Sequence, residues 1–206
     1  MIIFYNILLF AGIVFCFPLI VLAVILSEKR RKTVLRRLGF RVPDSEFRIP
    51  DSDPLWVHAL SVGEVLSAVP LVKALRERFG DTRIFFSAST KTGFEIAKER
   101  LGKDADAIFF FPYDLIFSVK RISNRIGPAA VVIVETDIWP NFLQEMKRRK
   151  VPVLLVNARL SERSFRGYRR FLFFTKSVFS GFSKICTQSS EDARRFALLG
   201  LPPDAV

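Results

Sequence analysis

The sequence predicts an α/β fold, a parallel doubly wound sheet with helices on both faces, preceded by an N-terminal transmembrane helix. Three observations predict it. From residue 55 onward short β-favouring runs alternate with helical patterns. The run Val131-Val-Ile-Val134 is apolar throughout, as strands buried on both faces are. Ahead of both, Ile2 to Leu26 contains no charged residue.

The apolar N-terminal segment, residues 2–26, spans roughly 37 Å as a helix, enough to cross a bilayer core of ~30 Å with some tilt. Pro18 kinks it and Asn6 is a minor polar cost. A buried core helix is the alternative, but this length without a polar face favours a membrane. A cleaved signal peptide fits less well, because no basic region precedes the run and no small-x-small site follows. Charges follow instead: Glu28, Lys29, Arg30, Arg31 and Lys32, then Arg36 and Arg37. The positive-inside rule then places the N-terminus outside and everything from Ser27 onward in the cytoplasm. The net charge of +12 lies wholly outside the span. It points to anionic partners: lipid head groups, phosphorylated lipids or nucleic acid. The basic segment beside the span favours lipid, and no nucleic-acid recognition motif is present. Cys16 and Cys186 are isolated, so neither a disulfide framework nor a metal site is indicated.

Residues 27–54 read as a basic juxtamembrane connector with a short helix around 32–38. The folded part, 55–206, then alternates. A strand at 55–60 stops at the turn Ser61-Val62-Gly63, and a helix covers 65–79. Strands follow at 83–88, 107–111, 129–134, 151–156 and 184–187. Helices lie between and after them at 91–101, 115–126, 139–149, 163–179 and 190–199. Pro140 suits a first helical turn. Pro202-Pro203 reads as a link toward something further.

In a parallel sheet the segments after the strands share one rim, where ligands bind. Here that rim is rich in hydroxyls, amides and carboxylates, which suits a polar, hydroxylated ligand. Glu64 ends the first strand. It fits two readings: the acid of a Ser61-x-x-Glu64 capping box, or a base accepting a proton from a sugar hydroxyl. Glu135 and Asp137 form a second acidic pair, too few for a metal site, with Asp137 also readable as a cap. Ser87 to Gly93 is either an anion-binding turn or a plain Ser/Thr-capped one. It is not a Walker loop, and a lone Gly63 is not a dinucleotide fingerprint. Arg159, Arg163, Arg166, Arg169 and Arg170 interleave with Phe165, Tyr168, Phe171, Phe173 and Phe174, which suits phosphate at a membrane interface against a merely solvated face. His58, mid-strand, reads as a packed core histidine before a base.

Six blocks together carry a family resemblance. They are Trp56-Val-His-Ala-Leu-Ser-Val-Gly-Glu-Val65, Thr90-x-Thr-Gly93, Pro112-Tyr-Asp114, Glu135-Thr-Asp-Ile-Trp-Pro-Asn141, Asn157-Ala-Arg-Leu-Ser-Glu-Arg-Ser164 with Gly167-Tyr-Arg-Arg170, and Gln188-Ser-Ser-Glu-Asp-Ala-Arg194. The sequence resembles the 3-deoxy-D-manno-octulosonic acid (Kdo) transferases of lipid A biosynthesis. The resemblance implies the Rossmann-like, acceptor-binding N-terminal domain of a GT-B glycosyltransferase, at the inner membrane. It implies inverting transfer from the donor CMP-Kdo to a lipid A precursor, with no cofactor and no metal in the site. Glu64 would be the catalytic base and Glu135 a supporting acid. Ser61, Gly63, Thr90, Lys91, Thr92, Gly93, Asp137, Asn157, Arg159 and Arg163 would bind the acceptor. Asp137 stands where the family also uses Glu. The donor domain expected after this one is absent from the 206 residues. A truncated or split gene, an incomplete sequence and an expressed half each account for this; a separately encoded donor domain is one expected partner, beside anionic lipids. The alternatives are a non-catalytic lipid-binding remnant of this fold and a GT-B enzyme for another lipid-linked acceptor.

Overall fold

The computed structural model describes residues 2–40, 54–135 and 138–201. Most of the connector's second half, Asp137 and the Pro202-Pro203 link lie outside the described residues. Two helices come first, α1 (Ile2–Ile25) and α2 (Glu28–Arg37). Then follow β1 (Leu55–Ala59), α3 (Val62–Phe79), β2 (Ile84–Ala88), α4 (Lys91–Leu101), β3 (Ala107–Phe110) and α5 (Ile116–Ile126). The second half holds β4 (Ala130–Val134), α6 (Pro140–Arg149), β5 (Val153–Ala158), α7 (Glu162–Arg170), α8 (Leu172–Phe179), β6 (Lys184–Thr187) and α9 (Ser190–Leu198).

All strand pairings are parallel, in the order β3-β2-β1-β4-β5-β6. The chain works outward from β1 to β3, then returns to the other side of β1 with β4. The switch in direction falls between β1 and β4, the place where an open α/β sheet leaves a crevice at its carboxyl edge.

The alternation of side chains along β1 explains the two cores. Trp56 points into a layer with Phe85, Phe109, Ile133 and Phe142. Val57 points to the opposite face, with Val65, Phe86, Phe94 and Leu101. Helices α3 and α4 cover that second face, which is why the strands read as unbroken apolar runs. Two buried polar groups cross the sheet between β1 and β2. The Trp56 indole donates to Ser87 Oγ (2.7 Å), and His58 Nδ1 lies 3.0 Å from the Ser87 carbonyl and hydroxyl. His58 is fully buried and stacks on Phe111, with ring centroids 3.8 Å apart. Burial, with a smaller push from Arg37, lowers its pKa to about 3, against the raising effect of the Ser87 hydrogen bond. It is therefore a neutral core residue at physiological pH.

Two expected elements differ. The helix after β1 begins at Val62 rather than at residue 65, so Gly63 and Glu64 belong to its first turn. The helix expected over 163–179 is broken at Phe171, whose backbone (φ −116°, ψ 43°) is not helical. At the break the Tyr168 carbonyl accepts both the Phe171 N–H (3.1 Å) and the Thr175 hydroxyl (2.9 Å). The break also lets Tyr168 and Phe179 meet edge to face at 5.5 Å while Phe171 and Phe173 turn outward.

Among the described residues α1 is long and apolar enough to cross a membrane. Its first turns, however, are hydrogen-bonded to the globular domain. The Tyr5 hydroxyl donates to Asp114 Oδ2 (2.9 Å). Asn6 and Asn141 exchange amide hydrogen bonds, each 2.8 Å. Asp114 in turn accepts the Asn141 and Phe142 N–H groups (3.1 and 2.9 Å), so it caps α6. α2 is docked as well. Arg37 Nε donates to the Phe111 carbonyl (2.9 Å), and its guanidinium lies 4.1 Å from the Tyr113 ring centroid.

Candidate functional site

The site is built where β1 and β4 end. At β1, the chain turns at Ser61 directly into α3. Gly63 sits in that first turn, exposed, and a Cβ there would meet nothing within 4 Å. Its missing side chain therefore serves no packing need and leaves open space over the helix start.

Glu64 is 9% exposed and its carboxylate is anchored on both oxygens. The Leu60 N–H donates to Oε2 (2.6 Å) and the Ser61 hydroxyl donates to Oε1 (3.1 Å). This is half of a capping box, shifted by one residue. Glu64 reaches back to the residue before the N-cap, and Ser61 gives its hydrogen to Glu64 rather than accepting from the backbone. Thr90, Ser161 and Ser189 do cap α4, α7 and α9 with their side chains. α3 opens with no such cap. Its first N–H groups are left toward the rim, at the positive end of the helix dipole.

The neighbouring turn is packed against this one. The N–H groups of Ser89 and Thr90 both reach the Leu60 carbonyl at 3.3 Å. The Thr90 hydroxyl accepts the Gly93 N–H (3.0 Å). A Cβ on Gly93 would lie 2.8 Å from that hydroxyl and 3.5 Å from the Ser61 carbonyl carbon. A side chain at Gly93 would thus crowd the Thr90 hydroxyl that caps α4, while the Ser61 backbone lies at ordinary contact distance. Lys91 and Thr92 are exposed beside it, with Lys91 paired to Glu95 (3.5 Å).

At the end of β4, Glu135 adopts φ 63°. A left-handed backbone at a residue that is neither Gly nor Asn costs on the order of 1–3 kcal/mol. Its N–H still continues the ladder to the Val156 carbonyl (2.8 Å), so the turn comes directly after the last pairing. Burial raises the Glu135 pKa first, the Glu64 charge raises it further, and Arg159 opposes both. Glu64, Glu135 and Arg159 thus share one electrostatic environment across the switch point. On the next strand Asn157 is also left-handed (φ 56°), at a register shift between Leu155 and Ala158. Arg159 and Arg163 are exposed beyond it, Arg163 in the first turn of α7.

The structure therefore brings together Ser61, Gly63, Glu64, Thr90 and Gly93 by direct contact of two turns, and Glu135 and Arg159 by charge. Lys91, Thr92, Asn157 and Arg163 lie on the same carboxyl edge, and Asp137 is outside the described residues. Among the described residues no group of three His, Cys, Asp or Glu is placed as metal ligands. Sequence reading missed Arg37, which also donates to the Ser89 carbonyl (3.4 Å) and fixes α2 over the ends of β2 and β3. Nothing local marks it among its basic neighbours.

The Gly63 geometry makes a prediction. Gly63→Ala is expected to keep or raise domain stability by about 0.5–1 kcal/mol, because alanine is the better helix residue and has room. If a ligand approaches α3 there, the added methyl is expected to lower turnover by about 10- to 100-fold. Thermal denaturation and an activity assay on the same preparation check both parts.

These features define a class. The chain carries a Rossmann-like, 3-2-1-4-5-6 parallel domain with acids at its switch point, a GT-B-like fold. A UDP-GlcNAc 2-epimerase from Neisseria meningitidis, solved with UDP-GlcNAc, superposes with a TM-score of 0.55 at 12% identity over 74% of this chain and 45% of that one. A putative UDP-N-acetylglucosamine 2-epimerase from Listeria monocytogenes gives 0.54 at 11% identity over 76% and 44%. Both likenesses concern the fold.

Residues 31–206 match the sequence profile described as 3-deoxy-D-manno-octulosonic-acid transferase (kdotransferase). The chain belongs to this family. It is 34% identical to the 3-deoxy-D-manno-octulosonic acid transferase of Haemophilus influenzae, over 93% of this chain and 45% of that protein. The Chlamydia pneumoniae transferase is 28% identical over 97% and 45%. A bifunctional glycosyltransferase/methyltransferase of Fusobacterium nucleatum is 31% identical over 88% of this chain and 28% of its own length. The chain thus spans about half the length of the transferases that it matches.

Proposed function

We propose that this chain supplies the acceptor-binding half and the catalytic base of an inverting Kdo transferase. The acceptor is a lipid A precursor, and the donor, CMP-Kdo, is held mainly by a donor domain. The observation that carries this reading is a pair of acids on the carboxyl edge of the sheet, Glu64 in the first turn of α3 and Glu135 at the end of β4. Glu64 takes the proton of an acceptor hydroxyl. The freed oxygen attacks the anomeric carbon of Kdo, and the bond from that carbon to the CMP phosphate oxygen breaks, with CMP leaving as the anion. Glu135 supports the charge arrangement. Ser61, Gly63, Thr90, Lys91, Thr92, Gly93, Asn157, Arg159 and Arg163 surround the acceptor, and Asp137 belongs to the same set. The reaction draws on no cofactor.

The same reading locates the chain at the inner membrane, with the domain on the cytoplasmic side and anionic lipids against its basic surface. Arg30, Arg31, Lys32 and Arg36 on α2 are the groups nearest the anchor, and α2 sits on the rim that bears the acids. A lipid acceptor can then reach the site from the leaflet, with its phosphates met by arginine. One observation favours a second reading, a non-catalytic acceptor-binding fold: both Glu64 oxygens are already engaged by the chain itself.

The test is transfer. Membranes carrying the chain joined to a donor domain, or mixed with one made separately, are supplied with CMP-Kdo and lipid A precursor. Kdo-bearing product is the expected outcome. Precursor that binds but receives no Kdo in either arrangement establishes the non-catalytic reading. Competition by other lipid-linked sugars that prevail over the precursor points to a different acceptor.

A further inference from the structure

The start of α1 is bonded to the globular domain, and its end is joined to α2, which is docked on that domain. At its start, Tyr5 and Asn6 are bonded to Asp114 and Asn141. At its end, Arg31 donates to the Ile25 carbonyl (3.1 Å), joining α1 to α2. α2 is ten residues long, about 15 Å. Its far end is fixed to the domain by Arg37, whose own carbonyl accepts the Tyr113 N–H (3.2 Å). With the short link included, Ile25 is no more than about 20–25 Å from that docking point. A bilayer core is ~30 Å thick before any head groups. Neither end of α1 is a membrane thickness away from the domain.

The side chains agree. Half-buried positions recur at Ile2, Tyr5, Asn6, Leu9, Ile13 and Cys16, one stripe at helical spacing turned toward the domain. The remaining surface is apolar and open: Phe10 is 70% exposed and Phe15 87%. A helix crossing the bilayer with its N-terminus beyond it would have to break the Tyr5 and Asn6 bonds, or carry Asp114 and the start of α6 through lipid. Burying those groups without water is costly. Tyr5 and Asn6 of α1 are thus satisfied by the domain, while its outward apolar side chains, Phe10 and Phe15 among them, stay open among the described residues.

We propose that α1 does not cross the membrane but lies in the plane of an anionic phospholipid leaflet, with both of its ends on the side of the domain. Its open apolar face sinks into the acyl boundary. The exposed bases of α2 meet the head groups, and Phe171 and Phe173 at the α7–α8 break are outward aromatics of the kind found at that level. The sequence rule that put the N-terminus outside is overridden by tertiary contacts that span 109 and 135 residues. One consequence concerns the rim. Tyr5 and Asn6 hold the loops after β3 and β4, and Arg37 holds the ends of β2 and β3. An in-plane α1 therefore keeps the acid-bearing edge of the sheet against the leaflet. The inference stands on these contacts alone and uses no part of the catalytic reading.

The experiment reads the side on which the N-terminus lies. Cys16→Ala leaves Cys186, exposed on β6, as the reporter for the domain. A short polar tag with one cysteine is placed ahead of Met1, and the chain is expressed in bacterial inner membranes. A membrane-impermeant maleimide is applied to sealed vesicles of both orientations. The tag thiol and Cys186 are expected to label in the same orientation, and both to lose labelling in the other. A tag that labels in the opposite orientation to Cys186, or equally in both, overturns the proposal. No donor, acceptor or turnover enters this readout, so its failure and the failure of the transferase reading are separately visible.

Discussion

Glu64→Gln, in the chain joined to a donor domain, is expected to lower transfer by about 10²- to 10⁴-fold while the fold stays intact, the range that loss of a general base removes. Glutamine is chosen because it separates the proposed base from the hydrogen-bond acceptor seen in the structure. Glu64 Oε2 accepts the Leu60 N–H at 2.6 Å, and a glutamine carbonyl oxygen can take over that bond. The Ser61 hydroxyl, at present donating to Oε1, can rotate to accept from the new amide. The bonds to Leu60 and Ser61 survive and the proton acceptor is gone. Glu64→Ala removes both, so it adds a loss of stability of about 1–3 kcal/mol, typical of a part-buried donor left unpaired. Comparing the two variants by denaturation and by initial rates assigns the effect. If Glu64→Gln transfers at the parent rate, the carboxylate is a structural element only. Glu135→Gln provides a contrast: it relieves the like charge beside Glu64, and its effect is expected to be smaller and to depend on pH.

Much of this arrangement is legible in the residues, for reasons that can be named. The strands show because helices cover both faces of the sheet, so Val131 to Val134 carries no polar interruption. The rim shows because a parallel sheet sends every strand end to one edge. What stays hidden is set by contacts distant in sequence. Asn6 reads as a mere polar cost in an apolar run, and only the fold supplies Asn141 as its partner. Asp114 reads as one more rim carboxylate, yet it caps α6 and receives Tyr5. The helix break at Phe171 has no local breaker, neither Gly nor Pro. It follows from Tyr168, Thr175 and Phe179 finding better partners in a bent arrangement than in a straight one. Glu64 lies between these cases. Its capping motif is visible, but the shift to Leu60 depends on α3 starting at Val62.

Acid is expected to destabilise the domain through His58. Its pKa is lowered to about 3 in the folded chain, chiefly because burial disfavours the charged ring, against an ordinary value of about 6.5 in the unfolded chain. A depressed folded pKa means that the unfolded state binds the proton first. The His58 contribution is therefore fully present above about pH 6.5 and is lost progressively as the pH falls toward 3. By linkage the loss between pH 7 and pH 5 is about 2 kcal/mol, and over the whole window on the order of 4–5 kcal/mol. That is a large share of the 5–15 kcal/mol that holds a typical domain. Denaturant midpoints measured in detergent at pH 7 and pH 5 read this loss, and a His58 variant separates it from Asp114 and Glu135, carboxylates that burial pushes upward. His58→Asn, which keeps a donor facing the Ser87 carbonyl, is expected to be less stable at pH 7 yet to lose far less on going to pH 5. An unchanged slope in that variant would assign the acid sensitivity to other groups. The same neutral ring bears on function: a buried histidine whose pKa is pushed this far down is poorly suited to carry a proton near neutrality.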